Sequence, residues 1–298
     1  MEDESRPSTD DTQTDPFELL GNEQRAAIVE TLGDARVEAG VRPTVSFSEL
    51  RARADLDIPS SQFNYHLQRL LGTFVEKTED GYRMRVEGRL VYQALRAGTF
   101  DRAGPASTHD LDVDCYYCDG TLQATFEDGV ARVECRDCEH LYEILGVPPA
   151  VLNADGDDAV ERFVGHCRQK RFAFANGDCP TCGAAVGTEI RRSPEIPFDD
   201  DETAVVRVYR LCENCGDQFY LSLGEALLYD PAVVSFCLER GLDVVRAPSW
   251  EIPFAATDRS VALLSEEPLR LSLTVALAED ELELVVDGSL AVVERNRR

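Results

Sequence analysis

Over residues 60–86, SSQFNYHLQRLLGTFVEKTEDGYRMRV, the apolar positions change their period from helical to strand-like. Phe63, Leu67, Leu70 and Leu71 fall on one face of a short helix that Ser60 is suited to cap and Gly72 to end in a left-handed turn. Its other face carries Ser61, Gln62, Asn64, Tyr65, Gln68 and Arg69, groups able to read base edges or hold phosphates. Residues 74–78 and 82–86 then read as two strands joined through Glu79-Asp80-Gly81, a tight hairpin bearing Lys77, Arg83 and Arg85. Upstream, Ser46 and Glu49 form a capping-box pattern for a helix through Ala54, with Phe47, Leu50 and Ala54 on one side. Asn22 is placed to cap a helix through Leu32, with Ile28, Val29 and Leu32 inward. Downstream, Leu90, Val91, Ala94 and Leu95 recur on one helix face, which serves either the core or a dimer contact. A polar-faced helix followed by a basic hairpin is the plan of a winged helix-turn-helix. His66 lies at the edge of the buried face, where a packed histidine is expected in preference to a base contact.

Later in the chain, Val160, Phe163, Val164 and Cys167 share one helix face, and Val233, Val234, Cys237 and Leu238 share another. Asp230-Pro231 is a cap with proline at the first helical position, and Gly241 ends that helix. Leu269, Leu271, Leu273, Val275 and Leu277 alternate as in a half-buried strand, and LELVV-DG-SLAVV reads as a hairpin turning at Asp-Gly. The acidic, proline-broken segment 189–203 reads as a solvated insertion, with a partner-binding loop as the alternative.

Eight of the ten cysteines stand in four Cys-x-x-Cys pairs. Cys115/Cys118 and Cys135/Cys138 are separated by 16 residues, and Cys179/Cys182 and Cys212/Cys215 by 29. Two residues between thiolates let one tight turn aim both sulfurs at a single ion, and two such turns complete a tetrahedral site. The flanking LQATFED-GV-ARVEC, VVRVYRLC and QFYLSL are strand-like, as in a zinc ribbon. Two structural Zn2+ sites are expected, and the spacing leaves open whether each set pairs locally or across ribbons. All ligand positions are filled by cysteine, so no open catalytic position is expected. The alternative use of the thiols is redox sensing. Cys167 and Cys237 are expected in the core as small apolar residues. His140 and His166 stand near the cysteines but are not needed as ligands.

Charge sharpens this picture. The chain of 298 residues carries −26 in all, but residues 15–104 carry only −2, and residues 60–96 carry four acids against six bases. Only two lysines occur, Lys77 and Lys170. An acidic, lysine-poor surface suits a salt-saturated cytoplasm, where phosphate-driven affinity is steeply weakened and base contacts matter more. No run of apolar residues is long enough to span a membrane, and the acidic start is the reverse of a signal peptide, so a cytoplasmic location is expected.

The segments FELLGNEQRAAIVETL, VSFSELRARADL and SSQFNYHLQRLLGTFVEKTEDGYRMRVEGRLVYQAL resemble ArsR-type winged-helix regulators, most of all their haloarchaeal members, over residues 15–104. The resemblance implies a homodimer on double-stranded DNA, with Ser61, Gln62, Asn64, Tyr65 and Arg69 facing the groove and Lys77, Arg83 and Arg85 over phosphates. It departs from the metal-sensing branch, whose Cys-x-Cys on the recognition helix has no counterpart here, since residues 15–104 hold no cysteine. The expected fold is a multidomain α+β chain: an acidic, unstructured tail (1–14), the winged helix (15–104), a first zinc ribbon (105–145), a helical connector (146–178), a second ribbon (179–224) and a small α+β unit with antiparallel strands (225–298). The expected function is sequence-specific transcriptional regulation. Its alternatives are an archaeal basal-type accessory factor touching promoter DNA and the transcription machinery, and a redox- or metal-responsive regulator. No phosphate loop, nucleophile elbow or unassigned Cys–His–carboxylate set suggests an enzyme.

Overall fold

The computed structural model describes residues 15–40, 42–101, 104–154, 156–191 and 206–298. The expected acidic tail and most of the 189–203 insertion fall outside these residues. The described chain is α+β, with helices and several antiparallel sheets, and it divides after Asp101 into two compact units. Among the described residues, no helix is long and apolar enough to cross a membrane.

The N-terminal unit holds helices α1 (Pro16–Leu20), α2 (Glu23–Ala39), α3 (Phe47–Ala54) and α4 (Ser60–Leu70), a hairpin of β1 (Val75–Thr78) and β2 (Gly81–Met84), and α5 (Val86–Arg96). Asn22 caps α2 by accepting the Arg25 N–H at 3.1 Å. The helix continues past Leu32 to Ala39, because nothing interrupts it before Gly40 turns left-handed. Ser46 caps α3 by accepting the Glu49 N–H at 3.2 Å, but the Glu49 carboxylate accepts from Arg53 instead of closing the box. At α4 the cap position belongs to Pro59, and Ser60 is the first helical residue, so no side chain caps this helix. The extended conformation of Pro59 starts the helix without that bond.

Ile28, Val29, Leu32, Leu50, Phe63, Leu67, Leu70, Val75 and Tyr82 form the unit's core. Phe47 meets Phe63 edge-on at 5.6 Å and Tyr82 at 6.4 Å, which fixes α3 between α4 and the hairpin. Val45 extends the hairpin by an antiparallel bridge to Tyr82, with both backbone hydrogen bonds made. Gly81 has φ 147°, and a Cβ there would collide with the Val45 carbonyl. On α5 the packed positions are Gly88 and Tyr92, with Val91, Ala94 and Leu95 half-buried. Leu90, expected with them, is 57% exposed, because Tyr92 takes the central place and donates its hydroxyl to Asp34 at 2.8 Å.

The C-terminal unit contains three antiparallel meanders around one continuous core. The first is β3 (Ser107–Asp114), β4 (Thr121–Glu127), β5 (Val130–Cys135) and β6 (Leu141–Gly146). After α6 (Pro149–Leu152) and α7 (Asp157–Ala175) comes the second, β7 (Gly187–Arg191), β8 (Arg207–Leu211) and β9 (Gln218–Leu221). Helices α8 (Leu223–Leu227), α9 (Pro231–Leu238) and α10 (Pro253–Ala256) lead to the third, β10 (Val261–Glu266), β11 (Leu269–Leu277), β12 (Asp280–Asp287) and β13 (Val292–Arg297).

Helix α7 joins these layers. Phe163 meets Phe126 of β4 edge-on at 5.6 Å and stacks on Trp250 at 6.0 Å, while Phe174 stacks on Phe219 of β9 at 5.4 Å. Between them the buried Arg171 guanidinium bonds Glu143 of β6 and, at 2.9 Å, Glu225 of α8. Glu225 also closes a capping box with Ser222 at the start of α8. Two carboxylates thus face one guanidinium. Burial pushes the Glu143 carboxyl up to about 7 against the pull of Arg171, with Glu225 adding to the rise. Cys167 and Cys237 are buried in this core, as expected. The β12–β13 connection departs from the expected Asp-Gly turn. Asp287 accepts from the Ser289 and Ala291 N–H groups and Leu290 takes positive φ, giving a longer loop.

Candidate functional sites

Each Cys-x-x-Cys folds into the same knuckle. The N–H of the residue after the second cysteine (Asp119, Glu139, Gly183 or Gly216) donates to the first cysteine's carbonyl, at 3.1, 3.0, 2.8 and 2.8 Å. One residue further on, the carbonyls of Gly120, His140, Ala184 and Asp217 accept the first cysteine's N–H, at 2.6 to 3.0 Å. The closing residue has φ of 58°, 60°, 74° and 79° in the four knuckles. Glycine takes this conformation freely, whereas Asp119 and Glu139 adopt it at a steric cost. The less regular sequence of the first two knuckles therefore still gives the regular backbone.

The knuckles converge in pairs from neighbouring motifs, which answers the question the spacing left open. Cys115, Cys118, Cys135 and Cys138 form one cluster and Cys179, Cys182, Cys212 and Cys215 the other, each with all four sulfurs within 4.8 Å of one another. Cys115–Cys138 and Cys118–Cys135 approach to 3.7 and 3.4 Å, and Cys179–Cys215 and Cys182–Cys212 to 3.5 and 3.4 Å. Four sulfurs bound tetrahedrally at about 2.3 Å from one ion would lie about 3.8 Å apart, close to these spacings. No disulfide joins them. Each cluster can hold one metal ion.

Backbone donors favour thiolate at Cys115 and Cys182, whereas burial and the neighbouring sulfurs push Cys138 and Cys215 up to about 12 against their own backbone donors. The Tyr117 and Asp137 N–H groups point at the sulfurs of Cys115 and Cys135, both at 3.4 Å. Burial pushes the Cys115 thiol up, but the Tyr142 hydroxyl at 3.2 Å and the Tyr117 and Cys118 N–H groups outweigh it and hold it at about 7. At the second cluster the Ala184 N–H and then the Asn214 side chain bring Cys182 down to about 6. Tyr142 also accepts the Tyr116 N–H at 2.9 Å, so it braces the first knuckle from the far end of the ribbon. Asp217 does comparable work in the second, bonding Thr181 at 2.6 Å and Lys170 of α7 at 3.1 Å. Neither residue stands out in the sequence, although both lie within five residues of a ligand cysteine. His140 packs on Tyr117 with ring centroids 4.1 Å apart and planes tilted by 40°, and is not in the ligand cluster.

In the N-terminal unit, Ser61, Gln62, Asn64, Tyr65, Gln68 and Arg69 are all exposed on one side of α4, Tyr65 at 59%. Asn64 and Gln68 share a hydrogen bond of 3.4 Å. Beneath them His66 is 6% exposed with neither ring nitrogen paired, and burial followed by the nearby Arg25 charge holds it below its ordinary pKa, hence neutral. On the hairpin Lys77 is exposed, whereas Arg83 and Arg85 are half-buried and carry carboxylate partners, Glu76 at 2.7 Å and Glu87 at 3.2 Å. Sequence reasoning missed those pairs. The signal was present, since a two-residue turn places Glu76 directly opposite Arg83.

A family model described as Domain of unknown function (DUF7351) matches residues 112–292, more than half of the chain. The chain belongs to that family. A second model, Domain of unknown function (DUF7347), matches residues 13–95. No curated protein and no solved structure matches the chain. The DUF7351 span contains both four-cysteine clusters, α7 and most of the third sheet, in keeping with the single core these elements share. The DUF7347 span takes in α4 and the hairpin.

Proposed function

We propose that this chain is a sequence-specific DNA-binding transcriptional regulator whose N-terminal unit is a winged helix-turn-helix and whose two four-cysteine clusters hold structural zinc. The observation that carries the reading is the α4 surface, where six polar side chains stand exposed beside a hairpin. In this reading α3 and α4 are the helix pair and β1–β2 the wing. Ser61, Gln62, Asn64, Tyr65 and Arg69 meet base edges in the major groove, while Lys77, Arg83 and Arg85 stand over phosphates. The resemblance to ArsR-type regulators supports the same assignment. It also supports a cytoplasmic homodimer, for which the exposed Val86, Leu90 and Phe100 supply apolar surface. The all-thiolate donor sets suit zinc, and filled ligand positions make the sites structural instead of catalytic. When bound, the ion cross-links two knuckles. No catalysis belongs to this reading.

One observation favours a second reading, a thiol- or metal-responsive regulator. Cys118, Cys138, Cys182 and Cys215 are exposed residues, so two cysteines of each cluster lie at the surface.

Genome-wide occupancy in cells at native salt tests the main proposal. Sharp peaks sharing a two-fold sequence are expected, whereas broad occupancy of active promoters would favour a general accessory factor contacting the transcription machinery. With the operator in hand, Asn64→Ala or Arg69→Ala should cost about 1–3 kcal/mol of discrimination against random DNA, as for a direct base contact. Lys77→Ala should weaken binding to all sequences alike. Identical behaviour of the two classes would refute the division between helix and wing.

A further inference from the structure

Glu76 lies on the solvent side of the hairpin, where one carboxylate oxygen serves two guanidinium groups. Its Oε1 is 2.7 Å from Arg83 Nε and 3.4 Å from Arg42 Nη2. The register explains the first contact, since Glu76 and Arg83 are directly opposed across β1 and β2. The bridge from Val45 to Tyr82 explains the second, because it lays the segment after Arg42 along the outer edge of β2. Arg85 is drawn to Glu87 in the same way. Lys77 is the one hairpin cation with no ion pair among the described residues. The wing is therefore close to electrically neutral as it stands, and its arginines are held by carboxylates of the chain itself.

We propose that Glu76 is a specificity-determining residue: it holds Arg42 and Arg83 away from phosphates, lowering affinity for DNA of any sequence while leaving the base-reading face of α4 untouched. The inference rests on the DNA-binding reading above. Phosphate contacts add affinity without discrimination, and each adds to the steepness with which binding falls with salt. A carboxylate that competes with phosphate for two arginines therefore removes sequence-blind affinity, so base contacts carry a larger share of the total. The half-exposed setting of all three side chains makes this a competition: a duplex whose bases fit α4 can displace the carboxylate, and a random duplex gains too little elsewhere to do so.

The test uses the full chain, a random-sequence duplex, and a duplex enriched from a randomised library by the wild-type protein, titrated in KCl. Glu76→Gln keeps the shape of the side chain and removes its charge. It should bind the random duplex about tenfold more tightly, steepen the dependence of log affinity on log salt by about 1 to 2, and lower the ratio of enriched to random binding. Adding Arg83→Gln to Glu76→Gln should remove most of the added salt slope. Glu79→Gln removes the same charge from the turn, where Glu79 makes no ion pair among the described residues, and should have the smaller effect. If Glu76→Gln matches the wild type, or if Glu79→Gln matches Glu76→Gln, the clamp is refuted while DNA binding stands. If the wild type binds neither duplex and enriches no sequence, the DNA-binding reading falls and this inference with it.

Discussion

Gly81 shows how much of the hairpin depends on one position. The sequence suggests a glycine that eases a tight turn, but the two turn residues are Glu79 and Asp80, and Gly81 is already paired with Thr78. Its necessity is the neighbouring strand, because a Cβ there would collide with the carbonyl of Val45. Gly81→Ala is expected to destabilise the N-terminal unit by about 1–3 kcal/mol, through the clash and the unfavourable φ together. Urea denaturation of the variant checks this, and unchanged stability would mean that Val45 moves aside freely. Asp119 and Glu139 show the opposite economy, since they hold the left-handed conformation for which Gly183 and Gly216 are better suited. Backbone geometry at a metal knuckle is thus set by its hydrogen bonds, and the residue type adjusts only its cost.

Among the elements, α7 is where sequence and structure diverge most usefully. The spacing of Val160, Phe163, Val164 and Cys167 identifies a buried face, but nothing local says what covers it. The answer is two sheets and a tryptophan, brought from segments far apart in the chain. Arg171 illustrates the limit, because an arginine in a helical run reads as solvated until Glu143 and Glu225 are placed around it. By contrast the four knuckles and the polar face of α4 were legible, since each depends on spacing within a few residues. The arginine triad makes a prediction. Glu143 is held above the ordinary carboxylate value, at about 7, so the folded state retains a proton that the unfolded chain gives up earlier. Its contribution is most favourable at pH below about 4 and falls as pH rises towards 7. Glu143→Gln should remove that fall, gaining stability relative to the wild type as pH rises from 5 to 8. Parallel stability curves for the two proteins over that range would contradict it.

For the whole molecule, the division after Asp101 separates a unit built from helices and a hairpin from a larger one tied by two four-cysteine clusters. Two metal equivalents per chain are expected by elemental analysis. Their removal by a chelator should expose the C-terminal core while the helices of the N-terminal unit persist, which hydrogen exchange resolved by segment would reveal. Retention of full protection in the C-terminal unit after complete metal loss would show that its apolar core suffices. The sequence divides residues 105–298 into ribbons, connector and end unit. The structure shows why chemistry alone suggests such a partition: the cysteines mark the ribbons, while the shared core is written in side chains with no local signature.

The pairing of neighbouring motifs also fixes an order in time. Cys138 is synthesised before any part of α7, so the first ligand set is complete in the chain before the helix that will cover its sheet has been translated. The second set is complete only with Cys215, after α7 has emerged. Had the clusters been assembled across ribbons, neither set would be complete until most of the cysteines had been synthesised. As built, the nascent chain offers a metal ion a full set of ligands twice, in succession.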